Sequence, residues 1–271
     1  MSQHVAMTTT NTVISKDGTP IVYEKVGSGP ALILVDGALC YRDFGPARLL
    51  SAALADKYSV YIYDRRGRGE SGDIQPYAVE REIEDLQMLV DVAGGNAYVM
   101  GQSSGAGLAL AAAASGVPMR RLAVYEAPFV GLREIKGKKV DYLRELKKLI
   151  AKGDEGGAVA FFLVKMVGAP AFVPLMMRLK PKIWKQLTAV AHTLPYDATV
   201  MDGFELPTVE LAKVKVPTLV MGGSKSPANM LAAVHAVADA VKGSQHRILD
   251  GQTHQVSEKT LAPVLTEFFA N

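Results

Sequence analysis

Cysteine is almost absent from this sequence of 271 residues, and so are the common cofactor-binding motifs in their usual sequence context. The single cysteine, Cys40, excludes an internal disulfide framework and a cysteine-based zinc cluster. The sequence contains no P-loop, no G-x-G-x-x-G after the first predicted strand and no H-E-x-x-H. We therefore expect neither a cofactor nor a metal ion.

A strong charge of either sign is also lacking. Thirty basic residues stand against 27 acidic ones, for a net charge of +3, and no basic stripe is interleaved with aromatic residues. We therefore expect no nucleic-acid partner. Residues 1–12 are polar, without the basic and apolar regions of a secretory signal. Together with the scarcity of cysteine, this pattern favours a cytoplasmic protein.

Long hydrophobic runs are limited to one stretch, residues 158–177, which is nearly long enough to span a bilayer. Lys165 lies in its middle, and Pro170 and Pro174 interrupt its second half. A central lysine costs about 2.5–3.5 kcal/mol on insertion. We therefore expect an apolar helical layer that covers a pocket, and no membrane partner.

Short apolar runs alternate with helical patterns in the first 130 residues and again after position 212. Such alternation is typical of a parallel sheet that helices bury on both faces. The sequence predicts an α/β fold with a mostly parallel central sheet and flanking helices. Strands are predicted at 21–25, 31–35, 60–63, 97–100, 122–125, 218–221 and 247–249. Helices are predicted at 47–57, 79–92, 104–114, 229–241 and 260–269.

The middle of the chain, by contrast, is helical throughout in its pattern. We expect a core formed by residues 1–130 and 212–271, with residues 131–211 inserted as a helical cap. Ligands of open α/β sheets bind beyond the carboxyl ends of the strands. The insertion leaves from one such end, so the cap is expected to cover the site.

The strongest motif is G-Q-S-S-G at positions 101–105, which matches G-x-S-x-G between a predicted strand and a predicted helix. Ser103 would then lie on a tight turn at a helix N-terminus, where backbone N–H groups can stabilise an oxyanion. This arrangement indicates a nucleophilic serine. A glycine-rich packing turn with a helix-capping serine is the alternative.

With these features the chain resembles an α/β-hydrolase with a helical cap, of the esterase or lactonase kind. The segment Y-D-R-R-G-R-G-E-S-G at 63–72 is similar to a structural motif of that family, so Arg65 and Arg66 receive no catalytic role. The resemblance also implies a histidine after the last strand, and His254 stands at that place. His254 is therefore the expected general base.

The resemblance implies an oxyanion hole made by two backbone N–H groups, those of Ser104 and Ala38. Ala38 follows Asp36 and Gly37, where the family usually has a histidine and a glycine. A carboxylate at Asp36 would oppose a developing oxyanion unless it is turned away or hydrogen-bonded.

The position of the acid departs from the family pattern. Ser226 stands where related hydrolases usually carry an aspartate, and a hydroxyl cannot offset the charge of an imidazolium. Glu126, at the end of the strand after the nucleophile's helix, is the expected substitute, as in certain haloalkane dehalogenases. A glutamate that turns to solvent is the alternative, and Asp250 is a weaker candidate.

A serine nucleophile with a base and an oxyanion hole indicates acyl transfer to water, from a carboxylic ester or a lactone. Perhydrolysis uses the same residues, and a lyase, a cyclase or a ligand-binding relative on this fold also stays open. We expect a small hydrophobic substrate and leave the oligomeric state open. The residues predicted to line the substrate pocket are Cys40, Phe161, Phe162, Met166, Met176, Met177, Trp184, His192 and Tyr196.

Overall fold

A computed structural model describes residues 9–132, 134–135 and 138–270 of the chain. Most of the polar N-terminal segment, on which the expected compartment partly rests, lies outside these residues. The described strands are β1 (Thr9–Ile14), β2 (Pro20–Val26), β3 (Ala31–Val35), β4 (Ser59–Tyr63), β5 (Ala97–Gln102), β6 (Met119–Tyr125), β7 (Glu134–Ile135), β8 (Lys138–Lys139), β9 (Thr218–Gly223) and β10 (Gln245–Leu249).

Helices flank the strands and fill the interval between β6 and β9. The described α-helices are α1 (Ala47–Leu54), α2 (Val79–Val92), α3 (Ser104–Ala114), α4 (Tyr142–Ile150), α5 (Glu155–Phe161), α6 (Val173–Arg178), α7 (Pro181–Ala189), α8 (Leu194–Val200), α9 (Thr208–Leu211), α10 (Ala228–Ala240) and α11 (Glu258–Ala270). Shorter pieces are a π-helix (Phe162–Val167) and two 3₁₀ turns (Ala191–Thr193 and Asp202–Phe204).

One sheet of eight strands organises the molecule, in the order β1-β2-β4-β3-β5-β6-β9-β10. The six strands from β4 to β10 in this order pair in parallel, whereas β1 and β2 pair antiparallel at one edge. Every residue of β4 and β9 is buried, because helices cover both faces of the sheet. The predicted α/β fold with a mostly parallel sheet is thus confirmed.

The sequence reading misses β1 and the small β7–β8 hairpin. β1 is rich in threonine and lies at the edge of the sheet, so it has no apolar run to reveal it. The hairpin consists of two-residue strands, too short for a periodic pattern.

The apolar run at 158–177 is broken into α5, the π-helix and α6. No helix in the described part of the chain has the length and apolar character needed to cross a bilayer. The buried residues Ala158 and Val159 of the apolar run instead pack with Leu146, Leu187 and Leu194 in a separate hydrophobic cluster. The cluster includes Leu39, which joins the helices of 142–211 to the loop after β3.

Candidate active site

Ser103 lies in the turn between β5 and α3, with the strained backbone angles φ 56° and ψ −129°. Two glycines allow other backbone segments to approach this turn closely. A Cβ at Gly105 would lie 2.2 Å from the Val35 carbonyl oxygen, and one at Gly37 would lie 2.9 Å from the Ser103 Cβ. The glycines therefore allow the turn to pack closely against the end of β3, and the turn places Ser103 directly after the carboxyl end of β5.

Glu126 directly follows β6 and also has a positive φ, 49°. Its Oε1 accepts hydrogen bonds from the Gly223 N–H at 2.8 Å and from the Ser226 hydroxyl at 2.6 Å. The residue is only 1% exposed, so both donors lie within the protein. Ser226, at the position usual for the family's acid, thus orients the carboxylate of Glu126.

His254 joins these two residues. Its Nδ1 lies 2.7 Å from Glu126 Oε2, and its Nε2 lies 3.1 Å from Ser103 Oγ. The His254 carbonyl oxygen accepts from the Gln102 amide at 3.1 Å, and the Tyr125 hydroxyl donates to the Thr253 carbonyl at 2.6 Å. Residues at the ends of β5 and β6 therefore fix the histidine loop over the sheet edge.

The ionisation of Glu126 follows from its surroundings. Burial alone would raise its pKa, but hydrogen bonds from His254, Ser226 and the Gly223 N–H outweigh that effect. The pKa of Glu126 is therefore lowered below its ordinary value. An ionised carboxylate at this place holds the proton of neutral His254 on Nδ1, so that Nε2 can accept the Ser103 proton.

A buried ionic network lies behind the loop after β3. Arg68 donates to the Gly37 carbonyl at 2.6 Å and the Cys40 carbonyl at 3.2 Å. The same guanidinium binds Asp197 of α8 at 2.8 and 2.9 Å. Asp197 also accepts from the Ser104 hydroxyl at 2.7 Å. The network therefore connects the loop at Ala38 with the first residue of α3.

A cavity of about 510 Å³ opens beside Ser103 and His254. Apolar side chains from the loop after β3 and from the inserted helices form most of its wall, and none of its described lining residues is an Asp, Glu, Lys or Arg. The residues that line it include Leu39, Cys40, Phe44, Phe162, Leu163, Val167, Met177, Ile183 and Leu187.

Comparison with known proteins adds to this geometry. The sequence profile of the "Alpha/beta hydrolase family" matches residues 27–258, which is most of the chain. The chain belongs to the α/β-hydrolase family. The matched residues run from the end of β2 to the start of α11, and they include Ser103, Glu126 and His254.

Solved structures and one sequence relative agree with this assignment. An α/β-hydrolase from Sphaerobacter thermophilus DSM 20745 is 48% identical with a TM-score of 0.87, over 96% of this chain and all of that one. A thermophilic esterase from Thermogutta terrifontis shares the fold, with 20% identity and a TM-score of 0.75 over 97% and 98% of the chains. The uncharacterized hydrolase YraK of Bacillus subtilis (strain 168) is 36% identical over 108 residues, which span only 39% of its length and 38% of this chain.

Six of the nine residues predicted to line the substrate pocket do not line the cavity beside Ser103. Phe161 packs edge-on against Tyr142, and Met166 packs against the hydrophobic core. The ring of Trp184 faces the Arg178 guanidinium. His192 and Tyr196 line a second cavity, on the side of the inserted helices near Tyr77.

The cause is the direction in which each side chain leaves its helix. A helical segment turns neighbouring residues about 100° apart, so Phe161 and Phe162 face different neighbours. The pocket predictions for Cys40, Phe162 and Met177 agree with the cavity wall, whereas Met176 is exposed.

Sequence reasoning missed the roles of Arg68 and Asp197. Both side chains are buried, and they lie 129 positions apart in the chain. One signal was present, since Asp197 is a carboxylate within an otherwise apolar helical stretch, where an unpaired charge would be costly. Its partner could not be deduced, because several arginines were available.

Asp36 stands in place of the family's usual histidine, and its carboxyl is turned towards α1. It accepts a hydrogen bond from the Ala47 N–H and is fully buried. Burial raises its pKa from 3.8 to about 7, although Arg68 and Arg65 oppose the rise. The carboxyl therefore faces the start of α1 and keeps its proton below about pH 7.

This burial predicts a pH-dependent stability. The folded protein keeps a proton on Asp36 that the unfolded chain releases above pH 4, so stability from this residue falls as pH rises from about 4 to about 7. Asp36→Asn cannot ionise. We expect its free energy of unfolding, relative to that of the wild type, to be about 2–4 kcal/mol higher at pH 8 than at pH 5. Denaturant titrations at both pH values measure this, and an equal difference at both would contradict the assignment.

Proposed function

We propose that the protein is a serine hydrolase that cleaves a carboxylic ester or lactone through an acyl-enzyme. The observation that carries the proposal is the line of contacts from Ser103 Oγ through His254 to Glu126. In this proposal Ser103 is the nucleophile, His254 the general base and Glu126 the acid that orients and balances the imidazolium.

The reaction uses Nε2 of His254 first as a base and then as an acid, while Nδ1 keeps its hydrogen bond to Glu126. Nε2 takes the proton of Ser103 as Oγ attacks the substrate carbonyl, and the imidazolium then protonates the leaving alkoxide. Water attacks the acyl-enzyme with the same histidine as base, which releases the carboxylic acid and restores Ser103. In a lactone the leaving alcohol stays attached to the product.

The N–H groups of Ala38 and Ser104 are the proposed oxyanion donors. The C=O and N–H of a planar trans peptide point to opposite sides. The Gly37 carbonyl points at Arg68, so the N–H of the same peptide, that of Ala38, points away from Arg68, and Ala38 lines the cavity. Ser104 begins α3, and first-turn N–H groups have no partner within their helix.

The cavity supports an uncharged, hydrophobic substrate. Its wall offers apolar side chains and no carboxylate, lysine or arginine among its described residues, so an ionic group on the acyl or alcohol part would lose its hydration without a partner. We propose that residues 131–211 act as a cap domain over the core, because Phe162, Met177 and Leu187 of this segment complete the wall.

Labelling with a fluorophosphonate tests the nucleophile. We expect one adduct per wild-type chain, located by peptide mass mapping on the peptide that contains Ser103, and none in Ser103→Ala. Ser104→Ala is the matched control, because it keeps the backbone N–H and the adjacent nucleophile, and it should still be labelled. Likewise, the wild type and Ser104→Ala should hydrolyse a short p-nitrophenyl ester, and Ser103→Ala should not. A folded wild-type protein that forms no adduct would contradict the proposal and favour the lyase, cyclase or ligand-binding reading.

A further inference from the structure

Exposed apolar side chains are concentrated on one part of the surface. Of the eleven large hydrophobic residues that are exposed in the described chain, five lie between positions 167 and 179. They are between 55% and 78% exposed, and they belong to the end of the π-helix, α6 and the residues beside α6. We call them the cap rim: Val167, Phe172, Leu175, Met176 and Leu179.

The segment of the chain that contains the cap rim carries formal charges of a single sign. Positions 156–196 contain no Asp or Glu, whereas the whole chain is nearly balanced at +3. The remainder of the chain therefore carries a net negative formal charge. The basic side chains of this interval are all exposed, and they are Lys165, Arg178, Lys180, Lys182 and Lys185.

The cap rim is continuous with the cavity beside Ser103. Val167 is 55% exposed and also lines the cavity. Met177 lines the cavity from α6, the helix that carries the exposed Leu175 and Met176. A surface that covers the cap rim would therefore meet the border of the cavity.

A lipid surface and a second copy of the chain are the two occupants to compare. In a two-fold dimer the same patch meets itself, so the basic side chains of one copy would face those of the other. Like charges brought together in this way oppose association. An anionic lipid surface instead accepts the apolar side chains among its acyl chains and places phosphates beside the lysines and arginine.

We propose that the cap rim binds the surface of anionic lipid aggregates, with the cavity border held at the interface. This is a peripheral contact, so it needs no spanning helix. It departs from the expectation of no membrane partner, which considered only spanning segments. The inference that hydrophobic esters enter the cavity from the lipid rests on the proposed function. The binding of the cap rim to lipid does not.

Flotation with vesicles tests the binding directly. We use vesicles of pure phosphatidylcholine and vesicles in which one third of the lipid is phosphatidylglycerol. The wild type should partition at least roughly tenfold more strongly to the anionic vesicles, and high salt should weaken this preference. Ser103→Ala should bind as the wild type does, so a failure of the hydrolase proposal leaves the binding result unchanged.

Two double variants locate the contact. Leu175→Ser/Leu179→Ser should lower partitioning to anionic vesicles by roughly tenfold or more. Leu49→Ser/Val209→Ser is the matched control, because both residues are similarly exposed but lie outside the cap rim, on α1 and α9. It should bind as the wild type does.

Three outcomes would overturn the proposal. These are a wild type that does not float with anionic vesicles, two double variants that lose binding equally, and a dimer in lipid-free solution that Leu175→Ser/Leu179→Ser dissociates. The last would assign the cap rim to a second copy. Thermal unfolding of each variant shows that the comparison is made between folded proteins.

Discussion

Replacing Glu126 with glutamine should lower kcat for a soluble ester by about 10⁴-fold, with little change in KM. Oε1 of Glu126 accepts from the Gly223 N–H and the Ser226 hydroxyl. In the variant the amide oxygen is best placed at this position, because the backbone N–H of Gly223 can only donate. The amide NH₂ then faces His254 Nδ1.

That orientation leaves His254 in the wrong tautomer. An NH₂ group donates to Nδ1, so the ring proton moves to Nε2, where it faces Ser103. The ring can then no longer accept the Ser103 proton, and the negative charge that balanced the imidazolium is lost as well. KM changes little because Glu126 is buried and does not line the cavity.

Ser226→Ala is the matched control for this prediction. It removes one donor to Oε1 but keeps the carboxylate and its contact with His254, so we expect a loss of about tenfold or less. Steady-state kinetics on wild type and both variants provide the comparison. Glutamine at position 126 with activity within tenfold of the wild type would remove Glu126 from the proposed mechanism and direct attention to Asp250, although Asp250 Oδ1 accepts from Ser224.

Asp197→Asn should destabilise the protein by about 3–5 kcal/mol, because it removes one negative charge from a buried ionic network. Arg65 donates to Asp197 at 2.8 Å, and Arg68 binds both of its oxygens. Burial alone would raise the pKa of Asp197, but Arg68 and Arg65 lower it below its usual value, so the native group is ionised. The melting temperature should fall by roughly 10 °C.

The same substitution should also slow catalysis, because it should shift the positions of the two proposed oxyanion donors. Arg68 holds the Gly37 and Cys40 carbonyls, and Asp197 holds the Ser104 hydroxyl, so the network fixes the separation of the two proposed oxyanion donors. A shift of this geometry by about 1 Å costs on the order of 10² in rate. We therefore expect kcat to fall by about that factor while KM changes less.

Asp85→Asn separates the two effects. Asp85 is also buried and also forms a paired contact with an arginine, Arg66, at 2.7 and 2.8 Å. That pair joins the loop after β4, which also carries Arg68, to α2. The other hydrogen bonds of Arg66 go to Asp17 and to the Arg81 carbonyl, and not to the loop at Ala38. A comparable loss of stability with unchanged kcat is expected. Equal losses of kcat in the two variants would show that Asp197 acts through stability alone.

The parts of this site that could be predicted from sequence are those fixed by local chain geometry. A buried strand, a turn of small residues and a helix place Ser103, and the ends of parallel strands meet at one edge of the sheet. Glu126 and His254 follow strand ends in the same way, so the family resemblance and the strand pattern led to the same residues.

The rest depends on contacts that no local pattern encodes. The direction of Trp184 and Tyr196 is set by the Arg178 guanidinium and by stacking on Tyr77 at 3.9 Å between ring centroids. Likewise, the sequence places Ser226 at the position of the family's usual aspartate. It does not reveal that the Ser226 hydroxyl donates to Glu126, because this contact depends on the pairing of β6 with β9.

The position of β10 at the far edge of the sheet has a consequence for a chain that is still being synthesised. His254 follows Ser103 by 151 residues, a distance that a ribosome covers in roughly 8–30 s. Through that interval the emerging chain carries the serine without its base. The histidine loop comes into place only when β10 has paired with β9. The proposed pairing of Ser103 with His254 can therefore form in a newly made molecule only when its sheet is complete.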